Sequence, residues 1–465
     1  PNSKRLINVY MYLAYAHNFN SKNDSSIFFM QKCVDHAQLT KDTVKLVSAM
    51  VGLNTLYSTD GNDSKAIEIL LKTKKIVENS EIVKDEMYYI YDALIHLYIN
   101  NKDLSFSEKA RDYGLDFKGD CMQSAFFDFD LDGDLDLVVM NRNVPGEYPK
   151  GPKSFIYINE GGRFTNATKN MSSDFYDQSQ MLVDGTFTDL DGNGHDDLIV
   201  VGEWTTPQIF MNDGDGLAQA NVDFDNLKGW WNRIVPTDID NDGDMDFVLG
   251  NIGLNNKYHP TPESPLYLFY NDFDENGIGD IVLSKSNGEE LLPVRGRECS
   301  SQQMPFILQK FDNYEKFANA SLTAIYSEER LDASLKLEVN NFASGVLINN
   351  GNMGFDFKPL PAMSQFGAVK DIILKDVNGD GLDDLITAGN FYGSEVETVR
   401  YDANMGVIAI NLGNGEFKTL SQEETGLYLK SDVRDLETVT IQNEEYLVVA
   451  SNNDELKTYK VSKRP

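Results

Sequence analysis

Asp128–Asp136 reads DFDLDGDLD, five carboxylates in nine residues. Like charges about 4 Å apart repel by about 1 kcal/mol in water and by several at a protein surface. Four further stretches share the pattern: Asp189–Asp197 (DLDGNGHDD), Asp238–Asp246 (DIDNDGDMD), Asp272–Asp280 (DFDENGIGD) and Asp376–Asp384 (DVNGDGLDD). Each has Asp at position 1, Asp or Asn at 3 and 5, Gly at 6 and Asp at 9. Calcium takes six to eight oxygens at about 2.4 Å, and alternate carboxylates on a tight loop can converge on one such ion. The glycine permits the bend that folds the loop round it.

The candidate ligands are therefore Asp128, Asp130, Asp132 and Asp136; Asp189, Asp191, Asn193 and Asp197; Asp238, Asp240, Asp242 and Asp246; Asp272, Asp274, Asn276 and Asp280; and Asp376, Asn378, Asp380 and Asp384. The backbone carbonyls at position 7, those of Asp134, His195, Asp244, Ile278 and Leu382, are expected to join them. Seventeen carboxylates stand at positions 1, 3, 5 and 9, and up to five calcium ions would bring the net charge from −32 to about −22. Loops four and five, with Asn276 and Asn378, are expected to bind more weakly. The competing reading is a set of acidic surface turns without ions.

Elements that position such loops can be read from what flanks them. An EF-hand needs a bidentate Glu at position 12 and a following helix. Here position 12 is Val139, Val200, Leu249, Leu283 or Thr387, and the residues after position 9 form short apolar runs such as LVVM and LIVV. The unit is strand, ion loop, strand. A second motif, apolar-x-apolar-Asn followed by a Gly- or Asn-rich turn, recurs at Phe155–Phe164, Gln208–Leu217, Val346–Phe355 and Ile408–Phe417 and predicts hairpins.

Residues 1 to about 100 have the opposite periodicity. SSIFFMQKCVDHA and KAIEILLKTKKIVE carry helical apolar spacing, each after a capping start, Asn23–Ser25 and Asn62–Ser64. The starts lie 39 residues apart, and Asn54–Asp63 is echoed by Ile95–Asp103. Helix pairs at this period resemble a tetratricopeptide (TPR-like) array in spacing, with a plain bundle as the alternative. The stretch His96–Phe106 fits both the helical and the hairpin pattern, so the boundary falls between about 92 and 118. The fold class expected is α plus all-β: a helical repeat over 1–105, then a β-domain over 106–465.

At this point a family resemblance emerges. The five loops resemble FG-GAP/VCBS repeats, the calcium-binding blades of integrin-α-like β-propellers. The phrases GWWNRI, GNIGLNNKY, RGRECSSQQMPF and GNFYGSEVETVRYDANMG are similar to those of VCBS-repeat proteins of the Bacteroidota type that often also carry an ASPIC/UnbV segment. No such segment is found here, and the helical N-terminus departs from the usual arrangement. The resemblance spans roughly residues 105–465 and implies a six- or seven-bladed β-propeller with calcium loops. Loop starts are 61, 49, 34 and 104 residues apart. The last interval is expected to hide one metal-free blade, which gives about 50 residues per blade and favours seven.

Bulk composition excludes several functions. With 41 basic against 73 acidic residues the chain lacks the basic footprint of nucleic-acid binding. No apolar run is long enough to span a membrane. Cys33, Cys121 and Cys299 are far apart and form neither a disulfide framework nor a zinc site, although Cys121 and Cys299 could pair. The first residue is Pro1, so a processed or truncated product is expected.

No nucleophile elbow, HExxH, Walker loop or dinucleotide fingerprint is present. A non-enzymatic binding or adhesion module for a protein or glycan is expected, at the cell surface, outside the cell or in the periplasm. The alternatives are a carbohydrate-active enzyme, a polysaccharide lyase or hydrolase, and a scaffold acting through its helices. Trp204, Trp230 and Trp231 serve either inter-sheet packing or a stacking platform for a ligand. Arg295–Cys299 (RGREC) either grips an anion or pairs with an internal Asp.

Overall fold

The computed structural model describes residues 3–19, 23–78, 113–115, 121–177, 179–288, 290–394, 398–442 and 444–461. The chain divides into two compact units, Pro1–Lys109 and Ala110–Pro465. His96–Phe106, where two readings compete, lies outside the described residues.

In the first unit, helices α1 (Ser3–Phe19), α2 (Asn23–Thr40), α3 (Thr43–Thr59) and α4 (Asp63–Glu78) follow one another, each packed on the next. α1 and α3 start at residues 3 and 43, α2 and α4 at 23 and 63, so the second pair repeats the first after forty residues. Asp42 caps α3 by accepting the Lys45 N–H at 3.2 Å, and Asn62 accepts that of Lys65 at 3.3 Å. The Asn23 amide donates to Asp60 at 3.1 Å, tying the start of α2 to the turn after α3. Ile7, Met30, Cys33, Val34 and Leu53 form the core of α1–α3, and Val47, Ala66, Leu70 and Val77 join α3 to α4. A Cβ on Gly52 would stand 3.0 Å from the Met30 methyl, so this glycine lets α2 and α3 approach.

The second unit is built from antiparallel sheets, six among the described residues. Sheet one contains Cys121–Phe127, Asp136–Asn141, Phe155–Asn159 and Phe164–Asn166, side by side in that order. Sheet two repeats this with Met181–Thr188, Asp197–Thr205, Gln208–Asn212 and Leu217–Gln219, and Gly229–Trp230 pairs on its second strand. Sheet five is Asp371–Lys375, Asp384–Ala388, Val407–Asn411 and Phe417–Thr419. Sheet six has three strands, Val433–Ile441, Glu444–Ser451 and Lys457–Val461.

Sheet three corrects the expected hidden blade. It opens with Arg233–Thr237 and Asp246–Gly250 and closes with Gly345–Asn349 and Phe355–Pro359. Phe247 pairs with Leu347, so the predicted hairpin at Val346–Phe355 completes this sheet and starts no separate blade. The intervening residues form sheet four, ordered Glu290–Pro293, Asp280–Asn287, Leu266–Asn271, Leu335–Val339, with short helices such as Arg297–Gln303 packed on it. The long interval between loops four and five thus holds the rest of an insertion and the second half of an interrupted sheet.

Sheets one, two, three, five and six follow one another face to face. Phe127, Val138, Leu182 and Val200 bury the first junction; Ile199, Val201, Ile234 and Leu249 the second. Val248, Val346, Ile372 and Leu385 bury the third; Ile386, Val433 and Leu447 the fourth. Trp231 is fully buried in the second junction, its indole donating to the Leu227 carbonyl at 3.0 Å. That removes it from the possible stacking platform, because no ligand can reach a ring with no exposed surface. No disulfide links Cys121 to Cys299, which overturns that possible pairing. No described helix is long and apolar enough to cross a membrane.

First strands are also tied by charge. Arg233 on sheet three reaches Asp371 on sheet five at 2.8 Å and Asp184 on sheet two at 3.4 Å. All three stand five residues before an acidic loop, so equivalent positions of three sheets meet. Asp184 also accepts the Ile234 N–H at 2.9 Å, and Asp371 that of Leu436 on sheet six at 2.6 Å. Burial pushes both carboxyls up, Asp371 to about 6, against the lowering effect of Arg233. Removing one partner of a buried ion pair costs several kcal/mol. Arg233→Met is expected to destabilise the protein by roughly 3 kcal/mol at pH 7. A carboxyl with a raised folded-state pKa destabilises above that pKa and recovers on protonation. The loss, read by denaturant melts, should therefore shrink as pH falls from 7 through 6 towards the ordinary carboxyl value of 3.8.

Candidate metal centres

Each acidic loop joins two antiparallel strands closed by a pair between the residue before position 1 and position 9; Phe127 pairs with Asp136, and Thr188 with Asp197. The loop bends twice into left-handed backbone, at position 4 and at Gly 6. Position 4 has φ of 58° at Leu131, 57° at Asn241 and 60° at Glu275, a conformation uncommon for side chains other than Gly, Asn and Asp. Position 6 has φ between 87° and 96° in the same register, at Gly133, Gly194, Gly243, Gly277 and Gly381. A Cβ there would meet nothing within 4 Å, so the glycine is required by backbone angle and not by crowding.

Side chains then fasten the loop to itself. The position-1 carboxylate accepts the Gly 6 N–H in all five loops, at 3.1 Å for Asp128 and 2.8 Å for Asp272. Position 5 accepts the N–H of position 7, as in Asp132 from Asp134, Asn193 from His195, Asp242 from Asp244, Asn276 from Ile278 and Asp380 from Leu382. The His195 ring packs against Gly214 in the neighbouring hairpin turn.

Position 9 is the buried member. Asp136, Asp197, Asp246, Asp280 and Asp384 are all at most 2 % exposed. One oxygen of each accepts the N–H of position 2, from Phe129, Leu190, Ile239, Phe273 and Val377, at 2.8–2.9 Å. In four loops the other oxygen accepts the N–H of the asparagine in the hairpin motif: Asn159, Asn212, Asn349 and Asn411, at 2.7–2.8 Å. The asparagine amides return to the loop, donating to Leu135, Asp196, Met245 and Asp383 carbonyls. The two sequence motifs are halves of one device. Their separation ranges from 15 residues in sheet two to 103 in sheet three, which is why no local pattern joins them.

Carboxylates converge in four loops. Asp128, Asp130 and Asp136; Asp189, Asp191 and Asp197; Asp238, Asp240 and Asp246; and Asp272, Asp274 and Asp280 each place one oxygen within 4.8 Å of the others. Burial raises the position-9 carboxyls, Asp246 to about 6, with the neighbouring loop carboxylates adding to the rise. Asp128 Oδ1 and Asp240 Oδ1 are buried with no hydrogen-bond partner, as expected of oxygens that face a cation. The donor set is all oxygen, which suits a hard ion. In the fifth loop Asn378 replaces one carboxylate and its amide donates to Asp380 at 2.8 Å. Loop four keeps its convergent trio despite Asn276.

Trp204 and Trp230 meet edge to face, centroids 5.2 Å apart, in a cavity of about 390 Å³ at the opposite ends of the strands that begin in the ion loops. Arg295 lines the same cavity and donates to Gln303 at 3.5 Å, while Arg297 donates to the Phe311 carbonyl at 2.7 Å.

A protein-family model described as FG-GAP-like repeat matches residues 84–139 and 189–249. These segments contain the first three acidic loops, and the match supports a repeat protein of FG-GAP/VCBS type. No curated protein matches the chain.

The two roles of the loop carboxylates can be separated by substitution. Asp240→Ala is expected to lower the melting temperature in calcium and to leave it unchanged or raised in chelator, where only repulsion is removed. Asp246→Ala should lower it in both, because Ile239 and Asn349 lose a charged acceptor worth about 1.5–3 kcal/mol per bond.

Proposed function

We propose that the second unit is a calcium-held β-propeller that acts as a non-enzymatic binding module for a protein or glycan at the cell surface or in the periplasm. The single observation that carries this reading is the recurrence of one ion loop at one edge of successive sheets. Closing the successive sheets face to face into a ring of six or seven blades would cover their exposed faces and leave only short, protected edges. Blades held at one edge by ions leave the other edge free to carry variable loops. The helical unit, with its forty-residue repeat, serves as a TPR-like contact surface for a protein partner. Weak calcium sites of about 10⁻⁴–10⁻³ M are filled outside the cell, which supports the proposed compartment.

An ion that binds only the folded state stabilises it by mass action, about 0.4–1.4 kcal/mol per site for millimolar calcium at these Kd values. Millimolar calcium should therefore raise the melting temperature and chelator lower it, and an unchanged melting curve would sink the metal assignment. A glycan array and pull-down, each with and without calcium, should return a ligand only when calcium is present. Incubating any glycan ligand with the protein and analysing the products tests the enzymatic alternative; shortened chains would displace the binding reading.

A further inference from the structure

Four phrases scattered through the β-unit have no part in the ion loops: GWWNRI, GNIGLNNKY, RGREC and GNFYGSEVETVRYDANMG. All four contribute to the walls of the 390 Å³ cavity, through Trp230 and Asn232, Ile252 and Tyr258, Arg295, and Phe391 and Tyr401. This volume lies in the range of small-molecule sites. Its walls combine apolar and aromatic surface with few charges, and those charges run against the rest of the chain. Arg142, Arg295 and Lys370 line it against one acid, Glu203, in a protein of net charge −32.

Glu203 is occupied. It pairs with Arg142 Nε at 2.7 Å and accepts from the Tyr148 hydroxyl at 3.4 Å, and that hydroxyl accepts from the Trp204 indole at 2.8 Å. Lys370 donates to the neutral Asn232 amide oxygen and lies 5.6 Å from the centre of the Phe391 ring. Burial, with Arg434 and Arg142 near it, lowers its pKa to about 8 against the opposing pull of Glu203 and Asp432. Two further donors in the wall, Trp230 Nε1 and Asn232 Nδ2, are buried without a hydrogen-bond partner. Buried polar groups are nearly always satisfied, and a buried cation needs a counter-charge. The unmet groups here are all donors, so the missing partner is an acceptor-rich anion. Trp204 is held at φ 59°, a left-handed conformation costly for a bulky residue, and such strain collects at binding sites.

We propose that this cavity binds an anionic sugar unit, carboxylated or sulfated. Its charged group faces Lys370 and Arg295, and its ring lies against Trp230 and Trp204. Sugar hydroxyls supply acceptors for the Trp230 and Asn232 donors, and the apolar ring face matches the aromatic wall. This deepens the binding-module reading and rests on it.

Two of the three tryptophans, the half-buried Trp230 and the largely buried Trp204, line the cavity, so a change in intrinsic fluorescence reports binding there. The intact chain in calcium is titrated with trigalacturonate, a sulfated galactose trisaccharide, neutral galactotriose and hexaglutamate. At least one anionic trisaccharide is expected to change the tryptophan emission and to bind at least tenfold more tightly than galactotriose. The two anionic arms tell carboxylate from sulfate. Lys370→Met, which replaces a half-buried cation by an apolar chain of similar length, should lose that binding at least tenfold with an unchanged melting temperature. Arg295→Gln should weaken it independently should Lys370→Met fail to fold. Equal binding of galactotriose, hexaglutamate binding as tightly as the sugars, or full affinity in the folded variants overturns the proposal. If the array ligand still binds Lys370→Met and Arg295→Gln, the cavity assignment fails while the binding-module reading stands. If no array or titration yields a ligand, both fail.

Discussion

The carboxylate at position 9 of each acidic loop is the interaction on which the β-unit depends. It is buried, it accepts the N–H two residues into its own loop, and in four sheets it accepts a second N–H from the third strand. A charged acceptor with two backbone donors fixes both geometry and register, because moving either strand by one residue would turn its N–H away. The remaining loop carboxylates are arranged around this fixed point. Their convergence would be repulsive without a counter-ion, so the same residue that orders the sheet also defines where a cation would sit.

This clamp tolerates a long detour. Asp246 and Asn349 are 103 residues apart, yet their contact matches those in the uninterrupted sheets. The detour makes its own sheet, with its own acidic loop at Asp272–Asp280 and a core of Phe273, Met304, Leu322 and Tyr326. Loop-closure entropy grows only slowly with length, so a folded insertion of this size is compatible with an intact host sheet. The insertion also supplies Leu268 and Leu283 to the cavity wall, which joins its presence to the proposed ligand site.

The strands have two ends with different electrostatics. The end that enters from the loops collects carboxylates, while the far end holds Arg142, Arg295 and Lys370 among aromatic rings. In an acidic chain a basic cavity with unmatched donors is an energetic cost that folding alone does not explain. The proposed anionic ligand would supply the missing partners.

Much of this was legible in the chain itself. Five loops with Gly at position 6, the absence of Glu at position 12, and four Asn-turn hairpins identified the strand–loop–strand unit, because backbone angle and side-chain period are local properties. Helical spacing did the same for α2 and α4. Position 4 was missed, since Leu131 and Glu275 give no sign that their backbone is left-handed. Trp204, Trp230 and Trp231 look alike in sequence, but packing buried Trp231 completely, left Trp230 half-buried, and set Trp230 and the largely buried Trp204 in the wall of a cavity. The interruption of sheet three, the Asp184–Arg233–Asp371 bridge and the gathering of four phrases round Lys370 were decided only by the tertiary structure. Each depends on contacts between residues far apart in sequence, and the spacing of residues along a chain carries no record of which distant strands will meet.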